Sequence, residues 1–197
     1  VAYWNLFCLG QALLPLVPAQ EDVVRVLETF KPHFAQSFTL GMNAKLGLSD
    51  VHETDADLQQ DLLQLLDREH VDWTVFWRRL SVAVQSDAFE PVRDLFIDRD
   101  AWQAWLARYR ARLDAQCATS QLSRHACGQT MLRINPKYVL RNYLAELAIA
   151  DAKVGDYACL HDLLTVLHSP FDEHPQHEAW AQVAPEWASR IEVSCSS

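Results

Sequence analysis

Apolar positions recur along most of this chain at three- and four-residue spacing, the repeat of a helix that buries one face. Residues 3–16 read as a short apolar helix, stopped near Pro15 and Pro18. From Gln20 an acidic first turn leads into Val23, Leu27, Phe30, Phe34 and Phe38, and Pro32 is expected to kink or split that segment before Gly41–Leu48 closes it. After a polar connector over 49–57, Thr54 is a candidate N-cap for a helix carrying Leu58, Leu62, Leu65 and Leu66. Asp72 is the next cap, ahead of Trp73, Phe76, Trp77 and Leu80. Residues 85–97 read as a loop with a short helical turn.

Asp98-Arg99-Asp100 opens the clearest amphipathic pattern: Trp102, Trp105, Leu106, Tyr109 and Leu113 form one stripe, and Arg108 and Arg112 lie off it. A Trp–Tyr stripe could stack bases, but core packing accounts for it with less. Residues 117–131 are the least patterned and read as a surface loop with a weak helix. At Ile134-Asn135-Pro136 the spacing predicts a helix capped by Asn135 and started by Pro136, with Val139, Leu140, Tyr143, Leu144 and Leu147 on one arc and a stop at Gly155. Arg141 sits at the edge of that arc, where a structural ion pair is expected. A further helix runs from Tyr157 to His168, followed by a Pro-rich polar connection over 169–184 and a last turn anchored by Trp187 and Ile191. No strand-like alternation appears. The expectation is an all-α fold of about eight or nine helices, with residues 1–197 as one helical unit and 193–197 as a flexible tail.

Charge changes the picture in the middle of the chain. The net charge is −9, but residues 1–77 carry −7, residues 78–150 carry +4 and residues 151–197 carry −6. An Arg-rich centre between acidic flanks suits an intramolecular charge match better than a nucleic-acid surface, because the arginines are spread over several helix faces. The five glycines are too few and too scattered for a phosphate-cradling loop. No apolar run reaches the length of a membrane span. Residues 6–19 imitate a secretory segment but lack a basic start, and an internal start within a larger protein is the expectation. The cysteines at 8, 117, 127, 159 and 195 form no CxxC, which points to a reducing compartment.

Three groupings are candidates for chemistry. His168, Asp172, Glu173, His174, His177 and Glu178 are metal-competent types, but they fall in a Pro-containing loop with no helical face to align them. His125 and Cys127 are a weak nucleophile–base lead, since near neighbours seldom form a catalytic pair. Cys195, flanked by serines, is either incidental or a redox handle. Kinase motifs are absent: there is no Gly-rich loop, His-Arg-Asp or Asp-Phe-Gly.

The run from Ile134 to Leu144, the later Ser169-Pro170-Phe171 and the ending Pro185–Ser197 resemble the C-terminal region of the selenoprotein O family. Trp4-Asn5-Leu6, Lys45-Leu46-Gly47, Leu95–Arg99 and Trp105–Arg110 extend that resemblance over nearly the whole chain. It implies a kinase-like protein that transfers AMP from ATP to protein hydroxyls with Mg²⁺ or Mn²⁺. This chain would supply the later helices of the C-lobe and a helical extension. The family's nucleotide and metal residues lie upstream of the matching segment, so the resemblance implies no cofactor site here. Catalytic, nucleotide-binding and metal residues are expected to be none. It implies one functional residue, Cys195, as a redox cysteine whose partner would precede Val1, and it gives Cys8, Cys117 and Cys127 no role. The implied partners are the catalytic lobes of the same protein and its protein substrates, without nucleic acid or membrane, in the cytoplasm. The competing readings are a stand-alone helical interaction module with an exposed Arg108–Arg112–Arg141 face, and a metallohydrolase built on residues 168–178.

Overall fold

The computed structural model describes residues 1–17 and 19–191. Among them are nine α-helices and three 3₁₀ segments, with no strand, so the fold is all-α. The chain divides into two compact units, Val1–Asn43 and Ala44 onward.

The first unit pairs α1 (Ala2–Leu13) with most of α2 (Gln20–Lys45) across a 3₁₀ turn at Leu14–Leu16. The Tyr3 hydroxyl donates to Glu28 Oε1 at 2.8 Å, and Tyr3 meets the Phe30 ring at 6.2 Å. Phe30, Phe34 and Phe38 stack in file along α2. Pro32 lies inside α2 without splitting it, so the helix tolerates the missing backbone donor. Gly10 is the only buried residue of α1, while Trp4, Leu9 and Leu13 are exposed.

The second unit holds the main core. Its helices are α3 (Asp55–Arg68), α4 (Trp73–Ser86), α5 (Glu90–Arg93), α6 (Arg99–Ser120), α7 (Arg124–Ile134), α8 (Asn142–Lys153) and α9 (Ala158–His168). The caps at Asp72 and Asp98 form as expected, accepting from Val75 N at 3.0 Å and Ala101 N at 2.9 Å. Thr54 occupies the N-cap position of α3 but makes no side-chain cap bond. Instead, Asp55 turns back to accept from His52 N.

Trp102, Trp105, Leu106, Tyr109 and Leu113 are all buried, as the stripe on α6 requires. They continue a line of ring contacts from Trp77 through Phe76, Phe96, Trp102 and Trp105 to Tyr109, with centroids 4.7–6.2 Å apart. Two polar ends of this line are bonded, Trp105 Nε1 donating to Leu58 O and the Tyr109 hydroxyl to Leu46 O, while the buried indole N–H groups of Trp77 and Trp102 have no hydrogen-bond partner among the described residues. A second cluster joins Tyr143, Leu144 and Ala148 of α8 to Leu163 of α9, covered by Trp180, Ala184, Ala188 and Ile191. The 169–184 connection is therefore structured, with a 3₁₀ turn at Pro175–Ala181, and a second 3₁₀ turn follows it at Glu186–Arg190.

The helix expected from Asn135 to Gly155 is corrected. Residues 124–134 already form α7, capped by Ser123, and Asn135 is the residue at its C-terminal end. Its backbone is extended (φ −100°, ψ 100°), as steric conflict with a following proline favours. Pro136 thus ends one helix and does not begin another. Helix α8 starts only at Asn142, which removes Val139 and Leu140 from the expected arc and leaves Leu140 exposed. The weakly patterned 117–131 stretch is likewise helical at both ends, interrupted only by a short turn at 121–123.

Helices α4 and α7 make the most extensive helix pair. Gly128 permits it, because a Cβ there would lie 2.5 Å from Gln85 N. Gly128→Ala must push the two backbones apart and should cost about 3 kcal/mol, seen in urea unfolding as a lower midpoint.

Candidate functional site

The segment 135–141 lacks secondary structure of its own, and side chains and backbone contacts far away in sequence hold it. Lys137 N and Tyr138 N both donate to the Pro170 carbonyl, at 2.8 and 3.1 Å. Asn135 is fully buried: its Nδ2 donates to Lys45 O at 3.0 Å and Ser81 Oγ at 2.9 Å, and its Oδ1 accepts from Lys45 Nζ at 3.1 Å. Lys45 also sits over the Trp77 ring, and burial lowers its pKa from the ordinary lysine value.

Lys137 is buried apart from a small fraction of its surface and is gripped by Glu173 and Glu178. Burial alone would lower its pKa, but the bonds to Glu173 and Glu178 outweigh burial and leave it raised. Arg78 donates to Leu132 O at 3.1 Å and Asn135 O at 3.3 Å, and pairs with Glu173 at 2.8 Å. Its bonds to Lys137, and then to Arg78, hold the Glu173 carboxyl below its ordinary value. A cavity of about 340 Å³ opens beside this cluster, lined in part by Arg78, Arg79, Val82 and Lys137. The cluster pairs two cations with two carboxylates, so its geometry is that of a clasp. Glu173, just before the Pro175–Ala181 turn, is fastened to α4 and to the 135–141 segment, and Glu178 within that turn to the segment alone.

Arg141 behaves as the structural ion-pair residue expected. Its guanidinium reaches both Asp72 oxygens, at 2.6 and 3.0 Å, and so ties the start of α8 to the cap of α4. Burial would raise the Asp72 pKa, but the Arg141 bonds and the Val75 N–H win and lower it.

The 168–178 grouping does not converge. Glu173 and Glu178 hold Lys137, His174 bonds to Ser169, and His177 stacks on Trp180 at 4.2 Å. Among the described residues no group of three or more His, Cys, Asp or Glu could hold a metal ion. His125 is exposed while Cys127 is buried, so these two form no catalytic pair. The basic face required of a stand-alone module is not formed either. Arg108 pairs with Asp61, Arg112 with Asp50 and Asp55, and Arg141 with Asp72. Cys195 lies outside the described residues. The roles of Lys45, Arg78 and Asn135 had no signal in the sequence beyond the Asn-Pro pair, because their partners lie tens of positions away. No helix among the described residues is long and apolar enough to cross a membrane.

The family profile described as protein adenylyltransferase SelO matches residues 1–168. The protein nucleotidyltransferase YdiU of Albidiferax ferrireducens is 51% identical over 202 residues, covering the whole of this chain and 39% of its own length. Its counterparts in Variovorax paradoxus and Burkholderia lata are 49% and 45% identical, again over the whole chain and over 39% and 40% of their lengths. The chain thus spans about two fifths of the length of the curated relatives it matches.

The Asp72–Arg141 pair gives a pH-dependent prediction. A carboxylate with a lowered folded-state pKa stabilises fully above its unfolded pKa of about 3.9, and that contribution fades as pH falls through the folded value. Asp72→Asn keeps a capping side chain but loses the ion pair, so it should cost about 2 kcal/mol near neutral pH. Urea midpoints of the two proteins should converge as the pH drops below about 4; parallel curves would show that the pair contributes nothing.

Proposed function

The chain belongs to the protein adenylyltransferase SelO family, and from that membership we propose that it is the helical, non-catalytic part of an enzyme that transfers AMP from ATP to hydroxyl side chains of proteins. The observation that carries this reading is the family match over residues 1–168 together with coverage of only about two fifths of the relatives. In this reading the later helices of a kinase-like C-lobe and a helical extension lie here, while ATP and its Mg²⁺ or Mn²⁺ are held by residues outside this chain. At the clasp, Lys137 and Arg78 are already engaged by Glu173, Glu178 and backbone carbonyls. No step of the transfer is derived from them.

The part this chain plays is to brace the catalytic lobes. Support comes from α1, a helix that is apolar on nearly every side yet buries only Gly10 within its own unit, and from the exposed Phe34 and Phe38 of α2. Helices apolar all round are normally covered by other protein. The same reading gives Cys195 a thiol-switch role and a cytoplasmic setting, which suits the free thiols at Cys8, Cys117, Cys127 and Cys159.

Titration calorimetry of the chain with ATP and Mn²⁺ should give no binding heat; micromolar affinity would sink the division of labour. Leu9→Ser and Phe34→Ser should leave the melting temperature of the isolated chain within roughly 2 °C. In the longer protein, the same substitutions should lower both stability and AMP transfer. For Cys195, labelling of the longer protein should differ before and after reduction, and equal reactivity in both states would end the switch idea.

A further inference from the structure

Helix α6 reaches past the core as far as Ser120, the chain reverses through Gln121 in a left-handed conformation, and α7 begins at Arg124. The reversal brings Cys117 and Cys127 together, with their sulfur atoms 3.6 Å apart. Cys127 is buried, while Cys117 is partly open to solvent. The same two helices are tied by Arg124, which makes a two-pronged pair with Asp114 at 2.6 Å and also reaches Asp87. The two thiols therefore face each other across a clamped turn, already in van der Waals contact, and a disulfide needs the sulfur atoms to close to about 2.05 Å. Burial and the neighbouring Cys117 raise the Cys127 pKa to about 11, which keeps that thiol protonated and inert until its partner is activated.

We propose that Cys117 and Cys127 are an oxidisable dithiol that hydrogen peroxide converts to an intrachain disulfide stapling α6 to α7. The accessible Cys117 sulfur, as thiolate, attacks one peroxide oxygen. The O–O bond breaks, hydroxide leaves, and Cys117 becomes a sulfenic acid. The Cys127 sulfur then displaces the sulfenic hydroxyl, forming the S–S bond, while the Cys127 proton departs with that hydroxyl as water. Two thiols are oxidised by two electrons, and one peroxide is reduced to two waters. This differs from any role for Cys195, since both partners belong to one helix pair. The bland alternative is that two small residues merely fill a helix contact.

Peroxide treatment of the full chain, alkylation of the remaining thiols and non-reducing peptide mapping separate the two. Cleavage after Arg112, Arg124 and Arg133 places the cysteines on different peptides. The expected product is the 113–124 peptide joined to 125–133, lighter by two hydrogens and released by a thiol reductant, with Cys159 still alkylated. Oxidation should raise the melting temperature by roughly 5–10 °C. In Cys117→Ser, Cys127 should stay fully alkylatable under the same treatment. Both cysteines alkylated in wild type while exposed Cys8 is oxidised would overturn the proposal. So would Cys117 ending as a sulfinic acid, or pairing with any other cysteine. A joined peptide with an unchanged melting temperature would overturn the stapling role.

Discussion

One buried amide holds three parts of the second unit in register. Asn135 spends both donors and its acceptor on Lys45 and Ser81, while its backbone N–H donates to Met131 O and its carbonyl accepts from Arg78. The end of α2, the middle of α4 and the end of α7 thus meet at a single side chain that water does not reach. In a low-dielectric interior such a network is strong only when every member is satisfied, and an aspartate or alanine here would strand at least one buried partner. The junction lies on the same helix pair that Gly128 lets pack closely, and the 136–141 segment leaves directly from it.

Around it, the uneven charge of the sequence resolves into internal pairing. Acids of the first third meet arginines of the middle, as in Asp61–Arg108, Asp50 and Asp55 with Arg112, and Asp72–Arg141. Acids of the last third meet Arg78 and Lys137. Pairs such as Asp61–Arg108 are half exposed and contribute little singly. Arg112–Asp55 and Arg141–Asp72 are mostly withdrawn from water, where removing either partner leaves a costly charge.

The features legible in the sequence were those governed by neighbours. The caps at Asp72 and Asp98 and the aromatic stripe of α6 depend on spacing within one or two turns, and they appear where the pattern puts them. Asn135-Pro136 misled because the same dipeptide can open a helix or close the one before it, and the choice lay with Asn135's distant partners. The clasp at Lys137 was hidden for the same reason: a lysine beside a proline carries no mark that two glutamates thirty-six and forty-one positions on will grip it. The family signature was readable although its structural meaning was not. Arg141 does form the expected ion pair, but from the N-cap position of α8 and not from the flank of the longer helix that the pattern suggests.

The single oxygen of Pro170 that accepts from Lys137 N and Tyr138 N has a consequence for local opening. The 135–141 segment belongs to no helix, so these two amides depend on that one carbonyl, whereas the amides of α4 and α7 are held by their own helical ladders and by the close packing of the two helices. The segment that carries the family's sequence signature is therefore the one that opens more readily than the helices beside it. Amide exchange at Lys137 and Tyr138 should accordingly run ahead of exchange in α4 and α7, marking a local opening that leaves the aromatic core shut.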